Sequence, residues 1–230
     1  KLSQNPIILG SVTHFEEPSS VQFSQVSKTG RTNTTDRTFN SDGIIIDSDL
    51  VNLFDDGKSS VETRAVIVMK YLLDNGISQT RAAAGVVGNL WAESAFDPEA
   101  TGSVGERGIA QWNPQPGAQR LQMLTSYASN HNPILDPFNF FTQLRFLVHD
   151  MKNNKAHEVF SHLSRNDISF DHNPRNNIKN DTNSTYYFLE VYERPEDSES
   201  KLLERMGYAN QAFILYDQSI QATKLAATGV

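Results

Sequence analysis

A run of small residues inside an apolar segment is the feature that most restricts how this chain can fold. The segment "ISQTRAAAGVVGNLWAES" covers residues 77–94 and contains Ala83, Ala84, Gly85 and Gly88. Small side chains let a neighbouring element come close to a helix, and a helix that is apolar on all sides is usually buried. The segment therefore predicts a central helix, beginning near Ser78, in a domain of packed helices.

Segments on both sides of this helix also carry helix signals. Before it, Ser59 is followed three residues later by Glu62, the spacing of a capping box, and the apolar residues after them fall on one face. After it, Asp136 is predicted as an N-cap with Pro137 at the first helical position. Further helices are predicted over residues 116–130, 156–165, 184–194 and 198–221. Without a heptad pattern or an internal repeat, the fold class predicted is mainly α.

The N-terminal part differs from the rest. Residues 1 to about 43 are rich in Ser, Thr, Asn and Gly and show no helical period, which is typical of a linker or an extended arm. A short strand followed by a turn is predicted within 43–54. We divide the chain into an arm, residues 1–58, and a helical domain, residues 59–230. For the arm, an unstructured tail and a tether that wraps a neighbouring subunit are both open.

Composition excludes several function classes. The 230 residues include no cysteine, which rules out disulfides and thiolate zinc sites. A net charge of −7 argues against nucleic acid as a main partner. No stretch approaches the ~18 apolar residues of a membrane span. The six histidines lack the spacing of metal ligands, so we expect no metal and no cofactor.

The best candidate for chemistry is Glu93, at the C-terminal end of the small-residue helix. The partial negative charge of a helix C-terminus and the apolar neighbours Trp91 and Phe96 both favour the protonated carboxylic acid. A proton retained near neutrality is what general acid catalysis requires, for example at a glycosidic oxygen. An ordinary acid that faces water at a helix end is the alternative interpretation.

The segment "GIAQW", which begins fifteen residues after Glu93, supplies groups suited to binding a saccharide. Gly108 lets backbone approach a ligand closely, and Gln111 offers an amide donor and acceptor. Trp112 has a flat apolar ring that can lie on a sugar. The alternative is a loop that packs its tryptophan into the core.

The combined stretch "GNLWAESAFDPEATGSVGERGIAQW" resembles the motifs of goose-type lysozymes and lytic transglycosylases. The "GIAQW" form, followed by Arg120, is most similar to the phage tail lysozyme family. The segment "YERPEDSESKLLERMGYANQAF" is similar to the ending of the same family. The resemblance covers roughly residues 60–220, whereas the N-terminal arm has no recognised counterpart.

This resemblance implies a small lysozyme-like helical domain that cuts peptidoglycan glycan strands between N-acetylmuramic acid and N-acetylglucosamine. It implies that Glu93 is the catalytic acid and that Ser94 and Gln111 organise the acid or hold substrate. Trp112, Tyr192 and Tyr208 are the expected aromatic contacts of the sugar, although both tyrosines also suit the edge of a core. The family setting implies a phage tail in the virion, action in the cell wall during DNA entry, and contacts of the arm with other tail proteins.

A second carboxylate is less defined. In "GERG", Glu106 stands where goose-type enzymes have Asp. A base there would activate water and give inversion if the carboxyls are ~6.5–9.5 Å apart, whereas a solvated loop acid paired with Arg107 leaves a transglycosylase that uses the sugar's own 6-hydroxyl. A catalytically inactive tail component and a soluble endolysin are further alternatives. Glu193 and Arg194 are predicted to pair and to cap the end of their helix.

Overall fold

The computed structural model describes residues 37–39, 45–47, 59–115, 119–153, 157–175, 177–193 and 198–228. Within them the chain is mainly helical, which confirms the predicted fold class. The helices are α1 (Val61–Asp74), α2 (Thr80–Ser94), α3 (Arg120–Ser129), α4 (Phe140–Asn153), α5 (His157–Leu163), α6 (Ser184–Tyr187) and α7 (Ser198–Thr228). A π-helix, Phe188–Glu193, continues α6, and a 3₁₀ turn covers Ile178–Asn180.

Two predicted N-caps are wrong by a few residues. Helix α1 is capped by Ser60, whose hydroxyl accepts a hydrogen bond from the Thr63 amide, so the Ser59–Glu62 capping box does not form the helix start. At α4, the Asn139 side chain accepts from the amides of Phe141 and Thr142. The predicted cap, Asp136, instead closes the turn before the helix. In both cases a second residue with capping chemistry lies within three positions of the predicted one.

Helix α2 is the centre of the domain, as its small residues predict. Every residue from Ala82 to Trp91 is buried. A Cβ atom on Gly85 would lie 2.7 Å from the amide nitrogen of Thr185 in α6, and one on Gly88 would lie 2.7 Å from that of Ala209 in α7. The two glycines therefore let α6 and α7 pack against the backbone of α2.

The core around α2 is built from aromatic and aliphatic side chains of most helices. Its largest fully buried side chains include Trp112, Tyr71, Tyr192, Phe96, Phe140, Phe146 and Phe188. Two of these carry polar atoms that meet each other: the Trp112 indole N–H donates to the Tyr192 hydroxyl at 3.2 Å. This bond ties the loop between α2 and α3 to the π-helix.

N-terminal to the helices, β1 (Arg37–Phe39) and β2 (Ile45–Asp47) pair as antiparallel strands, with Thr38 opposite Ile46. Strand β2 falls inside the segment where a short strand is predicted. The rest of the predicted arm lies outside the described residues, so its role as a tether stays a prediction. Among the helices that the structure describes, none is long and apolar enough to cross a bilayer.

Candidate active site

Glu93 lies in the last turn of α2, where the backbone makes an unusual exit. The two residues after the helix, Ala95 and Phe96, have φ angles of 50° and 61°. Consecutive non-glycine residues in the left-handed region are uncommon and cost energy, so the surrounding packing must hold them. The turn returns Phe96 to the core, where it is fully buried. The last turn of α2 is thereby fixed, while 22% of the Glu93 side chain stays exposed.

Arg205 of α7 holds the Glu93 carboxylate. Its Nη2 atom donates to Glu93 Oε1, and its Nη1 atom donates to Glu193 Oε2 at 2.7 Å. Nη1 also lies 3.2 Å from the carbonyl oxygen and the side-chain oxygen of Asn89, one turn before Glu93 in α2. Arg205 is almost completely buried, with 3% of its side chain exposed. One guanidinium thus joins α2, α7 and the end of the π-helix.

Glu193 is the more deeply buried of the two carboxyls on Arg205, with 6% of its side chain exposed. Burial raises the pKa of Glu193 well above its usual range. The Arg205 guanidinium opposes this rise, and the charge of the Glu93 carboxyl adds to it. Because the negative charge of one carboxylate disfavours ionisation of the other, the pair is suited to holding one proton.

The π-helix that ends at Glu193 is fixed from the other side by Arg120. Its Nη1 atom donates to the Tyr192 carbonyl oxygen, and its guanidinium lies 4.0 Å from the centre of the Tyr192 ring. Asp150 of α4 lies 3.5 Å from Arg120 Nε. The arginine noted after "GIAQW" in the sequence therefore supports the backbone that positions Glu193.

The "GIAQW" loop is anchored to both α2 and α4. The Ser94 hydroxyl donates to the Ile109 carbonyl oxygen at 2.9 Å, and the Ile109 amide donates to Gln143 Oε1 at 2.9 Å. The Gln143 amide group in turn donates to the carbonyl oxygens of Pro98 and Pro137. Ser94 thus joins the end of α2, the helix that carries Glu93, to the loop.

Gln111 and Glu106 both bond within this loop. The Gln111 amide donates to the carbonyl oxygens of Ala100 and Gly108, at 3.2 and 3.0 Å. Glu106 Oε2 accepts from the Val104 amide at 3.0 Å. Arg107, the expected partner of Glu106, lies with its guanidinium 4.3 Å from the centre of the Phe138 ring. The contacts of Gln111 and Glu106 serve to shape the loop.

The predicted aromatic contacts of a sugar separate into two groups. Trp112 and Tyr192 are 2% and 1% exposed, so their rings pack in the core and are not available to stack on a ligand. Tyr208 is half-buried on α7, three residues after Arg205, and stacks on Trp91 with ring centres 5.3 Å apart. Of the three, Tyr208 is the one whose side chain is partly exposed, and it packs on Trp91, two residues before Glu93.

Sequence reasoning missed the residues that hold this site together. Arg205 lies in the family-like ending, but nothing in its spacing indicates a contact with Glu93, 112 positions earlier. Asn89 is a polar residue inside an apolar helical run, which is a signal that was available. Glu193 pairs with Arg205. Its expected partner, Arg194, lies outside the described residues, so the Glu193–Arg194 pair stays a prediction.

An open cavity lies at the other end of α2 and is separate from this cluster. Its lining includes Arg81, which forms an ion pair with Asp171 at 2.5 Å. Arg81 and Glu93 are twelve residues apart in one helix, so they are separated by roughly 18 Å along its axis. In the described part of the chain, no group of His, Asp and Glu side chains suits a metal ion.

Comparison with known proteins gives one match. A family model described as phage tail lysozyme matches residues 63–216, a span that includes Glu93, Glu193 and Arg205. No curated protein and no solved structure matches the chain.

Proposed function

Because the chain belongs to the phage tail lysozyme family, we propose that it is a virion-associated glycosidase of peptidoglycan. The family suggests a lysozyme-like function in the degradation of this polymer. The bond we propose is the β-1,4 linkage between N-acetylmuramic acid and N-acetylglucosamine, cut when a phage tail penetrates the cell wall. The observation that carries the proposal is a partly exposed Glu93 carboxyl, fixed by Arg205 and lying at the helix end that holds the "GIAQW" loop.

Glu93 acts as the general acid in this proposal. Its carboxyl protonates the glycosidic oxygen while the bond to the anomeric carbon breaks, so the sugar leaves as a neutral alcohol. A catalytic acid works best when its side chain needs no reorganisation before proton transfer. The bond from Arg205 and the fixed turn after α2 supply that rigidity, and the exposed fraction of Glu93 leaves it within reach of a polymer.

Tyr208, Ser94 and Gln111 complete the proposed site in different ways. The half-buried Tyr208 ring, which stacks on Trp91 two residues before Glu93, has an apolar face and a polar tip, a combination that suits a sugar ring. Ser94 and Gln111 fix the loop backbone rather than presenting free side chains. We propose that substrate is held by Tyr208 and by the backbone of the loop, and that Trp112 and Tyr192 support the loop from the core.

The role of Glu106 distinguishes hydrolysis from transglycosylation at the same glycosidic bond. In the hydrolase proposal, Glu106 leaves its bond to the loop backbone and orients a water molecule, and the product is a reducing sugar. Its bond to the Val104 amide favours the second candidate, a lytic transglycosylase in which the 6-hydroxyl of the muramic acid attacks the anomeric carbon. Mass spectrometry of digested sacculi separates the two, because the hydrolysis product is heavier by one water.

Replacement of Glu93 by Gln tests the proposal directly. We expect clearing of purified sacculi to fall by roughly 10²–10⁴-fold, the contribution typical of a general acid. Glu99→Gln is the matched control, because Glu99 is exposed in the loop that follows the same helix, and it should clear sacculi as the unchanged protein does. If Glu93→Gln clears sacculi at an undiminished rate, the proposal is wrong, and the alternative of a non-enzymatic tail component is left.

The virion setting is proposed separately from the chemistry. Antibodies against this chain should label intact phage particles at the tail if it is a tail component. The N-terminal residues 1–58 are the proposed attachment to other tail proteins, and their deletion should release the helical domain from the particle. Labelling only of lysed culture supernatant would indicate the endolysin alternative.

A further inference from the structure

The buried ion cluster contains more negative than positive charge if every group is ionised. Glu93 and Glu193 each bring one carboxylate to the single guanidinium of Arg205. Removing two charges from water against one counter-charge is costly in a protein interior. Uptake of a single proton by the two carboxyls restores the balance with Arg205.

The other groups that face the cluster do not remove this excess. Arg120 acts on Glu193 from α3, but it also lies 3.5 Å from Asp150 of α4, which matches its charge. Asn89 of α2 is neutral and accepts from Arg205. The buried Oε1 atom of Glu193 receives no hydrogen bond from an N–H or hydroxyl group of the described residues, which leaves it suited to a proton.

The two carboxyls differ in access. The Glu193 side chain is 6% exposed and that of Glu93 is 22% exposed. Glu193 sits at the end of a π-helical turn, an element found frequently at functional sites, and its backbone is held there by the bond from Arg120 to Tyr192. Glu193 is therefore placed to act on a substrate only through Glu93.

We propose that Glu193 is a positioning residue that shares one proton with Glu93 across Arg205, so that the two carboxyls titrate as one unit. This inference rests on the proposed function of Glu93. Within the singly protonated pair, burial favours the neutral form of Glu193, and Glu93, the more exposed of the two carboxyls, passes the shared proton to the substrate.

The proton balance follows from this arrangement. Glu93 gives the proton to the glycosidic oxygen, which also takes the electron pair of the bond that breaks at the anomeric carbon. Both carboxyls are then ionised at Arg205. When the oxygen of water, or the 6-hydroxyl of the sugar, bonds to the anomeric carbon, the proton that it releases restores the pair.

The test is the pH profile of sacculus clearing by Glu193→Gln, with Glu204→Gln as the matched control. Glu204 is exposed and directly precedes Arg205 on α7. In Glu193→Gln, loss of the neighbouring like charge lets the Glu93 carboxyl ionise more easily. The decline of clearing activity on the alkaline side of the pH profile (the alkaline limb) should therefore begin at least about one pH unit lower. Maximal activity at lower pH should stay within about tenfold of the unchanged protein. A purely structural role would instead reduce activity at every pH and leave the limb in place, which would overturn the inference.

A second measurement covers the case in which Glu193→Gln does not fold. In protein with ¹³C-labelled glutamate carboxyls, the Glu193 resonance should titrate at lower pH in Glu93→Gln than in the unchanged protein. An unmoved Glu193 titration contradicts proton sharing. Glu93→Gln could abolish clearing while the alkaline limb of Glu193→Gln and the Glu193 titration in Glu93→Gln both stay in place. In that case only this inference fails. If Glu93→Gln clears sacculi at full rate, the proposed function fails first.

Discussion

Gly88 of α2 lies directly against the α7 backbone at Arg205. A Cβ atom on Gly88 would overlap the Arg205 carbonyl oxygen and come within 2.7 Å of the Ala209 amide nitrogen. The side chain of the same Arg205 reaches Glu93 in the next turn and a half of α2. The distance between the two helices and the position of the guanidinium are therefore set by the same contact.

We expect Gly88→Ala to destabilise the domain by about 1–3 kcal/mol, as overpacking of a close-packed interface does. The clash involves backbone atoms of α7, so relief requires the helix to shift and Arg205 to move from Glu93. Activity should fall beyond the loss explained by unfolding. Denaturant unfolding and sacculus clearing at a temperature well below the transition measure the two effects.

Gly207→Ala is the control for that change. Gly207 lies in α7 two residues after Arg205, and a Cβ atom there meets nothing within 4 Å. Because alanine is the better helix former, the control should gain roughly 0.5–1 kcal/mol of unfolding free energy. Equal behaviour of the two alanine variants would contradict the close contact at Gly88.

Arg205→Lys tests the bridge itself. A lysine ammonium cannot bond both carboxyls and the Asn89 oxygens in the planar geometry of a guanidinium. We expect a loss of about 3–5 kcal/mol in unfolding free energy, the range for breaking a buried ion pair, together with loss of sacculus clearing. Arg165→Lys is the control: Arg165 pairs with Asp167 at 2.5 Å on the surface, with 41% of its side chain exposed, and should lose at most about 1 kcal/mol.

How much of this the sequence predicts depends on whether the signal is local. The central helix follows from the small residues of α2, because this signal depends only on neighbouring positions in the sequence. Helix starts are less certain, because Ser59 and Ser60 have the same capping chemistry and only packing selects between them.

In the candidate site, too, local sequence signals predict some residues, whereas contacts between distant positions are not predicted. Glu93 stands out because an acid interrupts an apolar run, and Ser94 follows it in the motif. The Arg205 bridge joins residues 112 positions apart, and neither side has a pattern that requires the other. Trp112 illustrates the opposite limit: an aromatic residue in a glycine-rich loop suits a sugar or a core equally well, and only its 2% exposure shows that it packs in the core.

Gln143→Leu should detach the "GIAQW" loop from α4. Gln143 is fully buried, and leucine of similar size leaves the Ile109 amide and the carbonyl oxygens of Pro98 and Pro137 without their partner. Each buried group that loses its hydrogen bond costs about 1–3 kcal/mol. We expect lower stability and faster proteolytic cutting within residues 97–113. Gln221→Leu, which removes an exposed bond to Asp217, should leave the cutting pattern unchanged.

His162 gives the fold a specific sensitivity to acid. Burial lowers the pKa of His162 from its usual 6.5, against the raising effect of its hydrogen bond to the Asp181 carbonyl oxygen. Its Nε2–H donates to that oxygen, and its ring stacks on Tyr187 with centres 3.6 Å apart. A group with a lowered pKa in the folded state contributes stability that is complete above the unfolded value and is lost as the pH falls. The contribution of His162 is therefore present above about 6.5 and decreases below it.

We expect His162→Gln to be less stable than the unchanged protein at neutral pH, because the buried ring and its stacking are lost. The gap in unfolding free energy should narrow as the pH falls from about 7.5 to 5, since glutamine has no proton to take up. Arg165 and Asp167 also face the ring, so both proteins must be compared at each pH in the same ionic strength. His172→Gln, at an exposed position, should follow the curve of the unchanged protein. A gap that stays constant or widens in acid contradicts the assignment of His162 as a buried, neutral histidine.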